Sequence, residues 1–299
     1  VSMTDNPNTM RPAASLSFMQ SSQAAVPEPS GSGRSMVCVL GAHSGVGVST
    51  VSANLALCAQ RRSLNRETAL LDLNLYEGDL HLLLGLEPEH HWRELMRDPL
   101  ALDPTLLMSV MVKHKTGLHL LASDYDGLRE ASVPPDKVGR LCKLARSLFP
   151  TVLVDCGTVL NPAVTMALTS TTTILLVVTL EVPTMRRAFR MIEALNTLGH
   201  GRERVILVLN RYRREDQGLL EEAEALFGQP VALSIPDVPE EARAAVETGR
   251  LLCAGTSGGA MVRAYERLAA CVMAAEQTPA AHPPSWRARW IQRLWGDAA

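Results

Sequence analysis

Along most of the chain, short apolar runs of strand length alternate with longer segments whose apolar positions recur at helical spacing. The runs are Met36–Leu40, Ala69–Leu73, Gly117–Leu121, Thr151–Asp155, Thr172–Thr179, Val205–Leu209 and Val231–Ile235. Each is nearly continuous in Val, Leu and Ile. That is the pattern of strands buried on both faces, because helices cover both sides of a parallel sheet. The segments between them predict helices over 50–61, 104–112, 135–148, 161–168, 183–198, 215–227, 238–249 and 257–275. Alternation repeated this often predicts an α/β fold: a doubly wound, mostly parallel sheet of about seven strands with helices on both faces.

The two ends break the pattern. Residues 1–34 are rich in Ser, Pro, Asn and Gly and are expected to form a disordered arm. A linker is expected over 277–285, with Pro279, Pro283 and Pro284, so that 35–276 is the folded unit and 286–299 a separate tail. Hydrophobic residues make up 46% of the 299 positions and aromatics 4%, so the core must be mostly aliphatic. Charge is nearly balanced, at 29 basic against 31 acidic residues, which removes any global electrostatic case for a nucleic-acid partner. The six cysteines form no C-x-x-C pair, and four lie inside apolar stretches, as small hydrophobes of a reducing compartment do. No apolar run reaches the roughly 18 residues of a membrane span, and Ser15 to Val26 is too polar for a signal-peptide core. The expected location is cytoplasmic.

The first run ends in Gly41-Ala42-His43-Ser44-Gly45-Val46-Gly47-Val48-Ser49-Thr50, with a helix directly after it. A glycine-bearing loop between a first strand and a first helix is an anion site, where backbone N–H groups curl around a phosphate at the positive end of the helix dipole. The general pattern is G-x-x-x-x-G-K-[ST]. Gly47 and Ser49 match it, Ala42 holds the opening glycine position and Val48 the lysine position. A dinucleotide-binding dehydrogenase would instead want G-x-G-x-x-G here, and that pattern is absent.

The stretch resembles the K-G-G-V-G-K-T-T loop of the MinD/ParA family of deviant Walker-A ATPases. Gly45, Val46, Gly47 and Thr50 match and Ser49 is a conservative change; His43 falls at the family's signature lysine, which reaches the partner subunit's nucleotide, and Val48 at the P-loop lysine. Losing two hydrogen bonds from charged groups weakens triphosphate binding by roughly 3–6 kcal/mol, or about 10²–10⁴-fold. Leu71-Asp72-Leu73-Asn74 stands where the family has D-x-D, and Asn74 replaces the carboxylate that orients the attacking water. Asp155 fits the Walker-B carboxylate that holds Mg²⁺ through water, with Ser49 as the matching hydroxyl. The plainer alternatives are a capping Asp at a strand end and a first-turn Ser. Leu209-Asn210-Arg211 and Ile235-Pro236-Asp237 match the family's adenine-recognition segments. The resemblance thus implies ATP and Mg²⁺ held by His43, Ser44, Gly45, Val46, Gly47, Val48, Ser49, Thr50, Asn210, Arg211, Pro236 and Asp155, in a homodimer, without efficient hydrolysis.

Finer features are similar to the TadZ/CpaE branch of pilus-assembly proteins. Leu71 to Leu80 resembles its D-L-D-x-x-x-G-D stretch, and Leu102-Asp103 with Gly117 to Ala122 its next block. Pro183 to Leu195 resembles its partner-facing helix, and Val246 to Arg250 its A-x-x-x-G-x-P-L region. This implies a positioning and assembly factor for a Tad-type pilus or secretion machine, with the machine's components as partners. The alternative is an active MinD/ParA-type ATPase cycling on membrane or DNA, which Val48, His43 and Asn74 oppose. A metabolic P-loop ligase would need its lysines.

In the tail, Trp286, Trp290 and Leu294 would form one helical stripe beside Ile291 and Trp295, with Arg289 and Arg293 opposite and Arg287 interrupting the apolar face. A basic Trp-bearing helix on a Pro-rich tether fits an interfacial anchor at the inner membrane or cell pole. Its alternative is a helix that docks on the domain or on a partner protein.

Overall fold

The computed structural model describes residues 34–62, 67–75, 78–97, 102–123, 133–247, 251–254 and 258–275. The expected linker and the tail with Trp286, Arg289, Trp290, Arg293, Leu294 and Trp295 lie outside the described residues, as does the arm up to residue 33.

Eight strands form one sheet: β1 (Ser35–Gly41), β2 (Thr68–Asp72), β3 (Val112–Lys113), β4 (His119–Leu121), β5 (Thr151–Asp155), β6 (Thr173–Val178), β7 (Val205–Tyr212) and β8 (Val231–Pro236). Their order across the sheet is β3-β4-β2-β5-β1-β6-β7-β8. All neighbours are parallel except β3, which runs antiparallel to β4. The expected doubly wound, mostly parallel sheet is therefore present, with eight strands rather than about seven. The extra one, β3, is two residues long and falls at the end of the helix expected over 104–112, where no period can be read.

Helices α1 (Val48–Arg62), α2 (Leu80–Leu84), α3 (Trp92–Arg97), α4 (Pro104–Val110), α5 (Pro135–Leu148), α6 (Pro162–Ser170), α7 (Val182–Thr197), α8 (Gln217–Phe227), α9 (Pro239–Glu247) and α10 (Ala260–Ala275) surround the sheet. Short α2 and α3 are additions to the sequence expectation. Two helices start on side-chain caps followed by proline: Asp103 accepts from Leu106 N at 2.8 Å, and Asn161 from Val164 N at 2.8 Å.

The strands divide their side chains between two cores with period two. Met36, Cys38 and Leu40 of β1, Val152 and Val154 of β5, and Ile174, Leu176 and Val178 of β6 join the layer under α5 to α8. Val37, Val39, Leu153, Leu175 and Val177 join the layer with α1 and α10. Full burial on both faces accounts for the unbroken apolar runs. Asn54 of α1, itself buried, ties that second layer together. Its amide donates to Thr50 O at 2.9 Å and its carbonyl accepts from Cys253 N at 3.1 Å, in the turn before α10. The cysteines are free thiols, five buried and Cys271 half-buried. Among the described residues no helix is long and apolar enough to cross a membrane.

Candidate functional site

The site lies at the carboxyl ends of the central strands. With β1 between β5 and β6, chain connections leave β1 and its neighbours in opposite directions, which opens a crevice at that end of the sheet. The loop after β1 is anchored on both sides: Gly41 N donates to Gly157 O at 2.9 Å and Ala42 N to Val177 O at 2.9 Å. Gly45 and Gly47 take left-handed φ of 81° and 92°, values that side chains rarely tolerate. At Gly47 a Cβ would come within 2.6 Å of Asn210 Nδ2, so the glycine also admits a close neighbour. The first turn of α1 follows, with its N–H groups free of intrahelical partners by the geometry of any helix start.

Two residues at the end of β7 grip this loop. Asn210 Nδ2 donates to Val46 O at 2.8 Å, and Arg211 Nη2 donates to Gly45 O at 2.8 Å. Arg211 N donates to Asn210 Oδ1 at 3.0 Å, and among the described residues Arg211 is the one non-glycine with positive φ, at 56°. Pro236 is paired beside Tyr212 across β7 and β8. Arg213 and Asp237 clamp these two strand ends through Nε at 2.7 Å and Nη2 at 2.6 Å.

Position 48 departs most from a cation-bearing loop. Val48 is 7% exposed and belongs to the apolar layer of α1. Its Cγ2 lies 2.2 Å from where a Cβ of Gly41 would be, so the two residues share one small space. His43 is half-buried and its Nδ1–H donates to its neighbour's carbonyl, Ser44 O, at 2.8 Å. Ser44 is exposed, and Ser49 and Thr50 are half-buried at the helix start.

Two carboxyls stand side by side beneath the loop. Asp72 ends β2 and Asp155 ends β5; they are partners in the strand register and both are 0% exposed. Asp155 Oδ1 accepts from Gly157 N at 2.9 Å, while Oδ2 makes no hydrogen bond of normal geometry. Burial raises its pKa from 3.8 to about 6, against the opposing pull of the Ser49 hydroxyl and the Gly157 N–H. Asp72 is raised well above the usual carboxylate range, first by burial and then by the charge of Asp155. Ser123 Oγ and Asn74 N hydrogen-bond it at 3.0 and 3.1 Å. Asn74 packs on Gly157, whose left-handed φ of 60° leaves room for it: a Cβ there would meet Asn74 Oδ1 at 2.9 Å.

Of the residues expected from sequence, 43–50, Asn210 and Arg211 thus converge on one loop, Ser49 faces Asp155, and Pro236 borders the Asn210 side. Asp72 was legible only as part of the L-D-L-N stretch. Its pairing with Asp155 follows from β2 lying next to β5, which strand runs do not reveal. Among the described residues no cluster of three or more His, Cys, Asp or Glu side chains forms a ready metal cage.

A glycine loop between a central parallel strand and its helix, with a buried carboxylate on the adjacent strand, defines a P-loop type nucleotide-binding α/β domain. Residues 37–251 match the CobQ/CobB/MinD/ParA nucleotide binding domain, and the chain belongs to that family. It is 26% identical over 281 residues to a protein of Nephroselmis olivacea named for the septum site-determining protein MinD, covering 90% of this chain and 97% of that one. It is 25% identical over 180 residues to the septum site-determining protein MinD of Thermotoga maritima, covering 60% and 64%. The fold is similar to that of a ParA family ATPase from Chlorobium tepidum, with a TM-score of 0.73 at 20% identity over 79% of this chain and 99% of that one. It is also similar to MinD of Pyrococcus horikoshii solved with Mg-ADP, with a TM-score of 0.66 at 20% identity over 80% and 96%.

Proposed function

We propose that the chain is a positioning and assembly factor of the TadZ/CpaE kind, serving a Tad-type pilus or secretion machine. Its ATP site binds weakly and hydrolyses little or nothing. The observation that carries this reading is Val48: the lysine position is filled by a side chain folded into the core against Gly41, while the glycine turns around it are intact.

The residues fit a Mg²⁺-nucleotide unevenly. The backbone of 45–50 suits phosphate oxygens, Asn210 and Pro236 border the base side, Arg211 reaches the loop at Gly45, and Ser49 with the buried Asp155 suits the metal end. Bound Mg²⁺ would supply charge neutralisation there. Against turnover, Val48 brings no charge to developing negative charge, and the Asn74 amide cannot take a proton from water. Such a site serves as a switch or a structural support for a homodimer. The TadZ/CpaE assignment rests on Leu71 to Leu80, Leu102-Asp103, Gly117 to Ala122 and Val246 to Arg250. The tail of 286–299 places the protein peripherally at the inner membrane or cell pole, where two tails in a dimer would bind far better than one.

One specific observation favours a second reading, an active MinD/ParA-type ATPase: Asp72 is kept beside Asp155 in a fully buried pair. Equilibrium binding of a fluorescent ATP analogue, with and without Mg²⁺, combined with phosphate-release kinetics, separates the two. Weak, Mg²⁺-dependent binding with negligible release supports the scaffold; steady release stimulated by vesicles or DNA overturns it. No binding below millimolar concentration removes the nucleotide altogether. Vesicle co-sedimentation unchanged by deleting 285–299 would remove the anchor.

A further inference from the structure

We propose that Arg211 is the cation of this phosphate loop, taking over the charge that positions 43 and 48 do not carry, and that it serves the phosphates rather than the base. The inference rests on the nucleotide-binding reading above and assigns the charge within that site.

The loop's own side chains bring no fixed positive charge: position 48 is a buried valine, and His43 is turned to the carbonyl of Ser44. The four lysines of the chain are elsewhere. Lys113 and Lys115 lie in and after β3, at the far edge of the sheet, where Lys113 pairs with Glu67. Lys137 and Lys143 lie on α5, and Lys137 donates to Met96 O. Arg211, by contrast, is bonded to the loop itself, 2.8 Å from Gly45 O. Asn210 holds its backbone N–H and, at the same time, the next loop carbonyl, so the two residues grip successive peptide groups of the loop.

The guanidinium has five N–H donors. Its hydrogen bond to Gly45 O uses one, and the side chain is exposed. No acidic residue among those described pairs with it, whereas the neighbouring Arg213 is neutralised by Asp237. An uncompensated charge is therefore fixed at the rim of a loop whose N–H groups suit an anion. A separate observation points to a ligand on the same loop: at the Ser49 end, the fully buried Asp155 Oδ2 makes no hydrogen bond of normal geometry.

The test is calorimetric titration of the full chain with Mg²⁺ plus ATP, ADP or AMP, and with adenosine, for wild type, Arg211→Lys, Arg211→Ala and Arg211→Gly. Glycine accepts the left-handed backbone at this position, so Arg211→Gly removes the charge without backbone strain and guards against misfolding. The expected result is a loss of about 10-fold to 100-fold in ATP affinity for the Ala and Gly variants, with little change for adenosine and most of the loss recovered by Lys. Equal losses for ATP and adenosine would assign Arg211 to the base and overturn the inference, as would unchanged ATP affinity in both variants. Wild type that binds none of the four ligands would overturn the nucleotide-binding reading itself, and the inference with it.

Discussion

Asp155→Asn should remove the pH dependence that the buried carboxyl imposes on stability. In the folded chain this group titrates near 6 instead of 3.8, chiefly because burial disfavours its charge. The folded state therefore binds more protons than the unfolded state between these values, and stability falls as pH rises through that window. At 1.36 kcal/mol per pH unit the full penalty is about 3 kcal/mol, of which about half develops between pH 5 and pH 7.5. Coupling to Asp72, whose protonated form is favoured by the Asp155 charge, acts in the same direction. The asparagine keeps an oxygen for Gly157 N but has no charge to desolvate. It leaves an amide at the Oδ2 position, which offsets part of the gain by roughly 1–3 kcal/mol at every pH. The difference in pH slope is thus more informative than stability at one pH. Urea unfolding of both proteins at pH 5 and pH 7.5, without nucleotide or Mg²⁺, should show the variant gaining about 1–2 kcal/mol on wild type as pH rises. A difference that is flat or shrinks with pH would refute the argument, because it would mean the carboxylate is ionised in the fold at little cost.

Three further outcomes follow from the loop and its helix. Gly47→Ala should cost roughly 2–3 kcal/mol, against roughly 1 kcal/mol for Gly45→Ala: both have positive φ, but only at 47 would the new Cβ strike Asn210, and urea unfolding ranks the two. Val48→Lys should raise ATP affinity about ten-fold or more while losing roughly 1–3 kcal/mol of stability, since a buried valine is given up for a charge that must reach the loop mouth; paired titration and melting curves check both halves. Asn54→Ala should destabilise by roughly 1–3 kcal/mol in urea, because Cys253 N loses its buried acceptor on α1.

The sequence by itself determined the layer plan and the loop. Runs such as Thr151–Asp155 and Val205–Leu209 are local records of burial on both faces, and the helix over 135–148 matches α5 at both ends. The glycines at 45 and 47 mark a backbone that turns where side chains cannot follow, and that constraint too is local. Elements too short for a period to repeat escaped: β3 has two residues, α2 five and α3 six, fewer than two full periods of apolar spacing. Tertiary structure alone decided which groups meet. Strand order set Asp72 beside Asp155, packing against Gly41 carried Val48 into the core, and the pairing of β7 beyond β6 brought Arg211 to Gly45. The Asp72–Asp155 and Arg211–Gly45 meetings join distant segments, 166 residues apart in the second case, and no short window of sequence contains both partners; Val48 and Gly41 share one loop, but the inward turn of the valine follows from the packing around it.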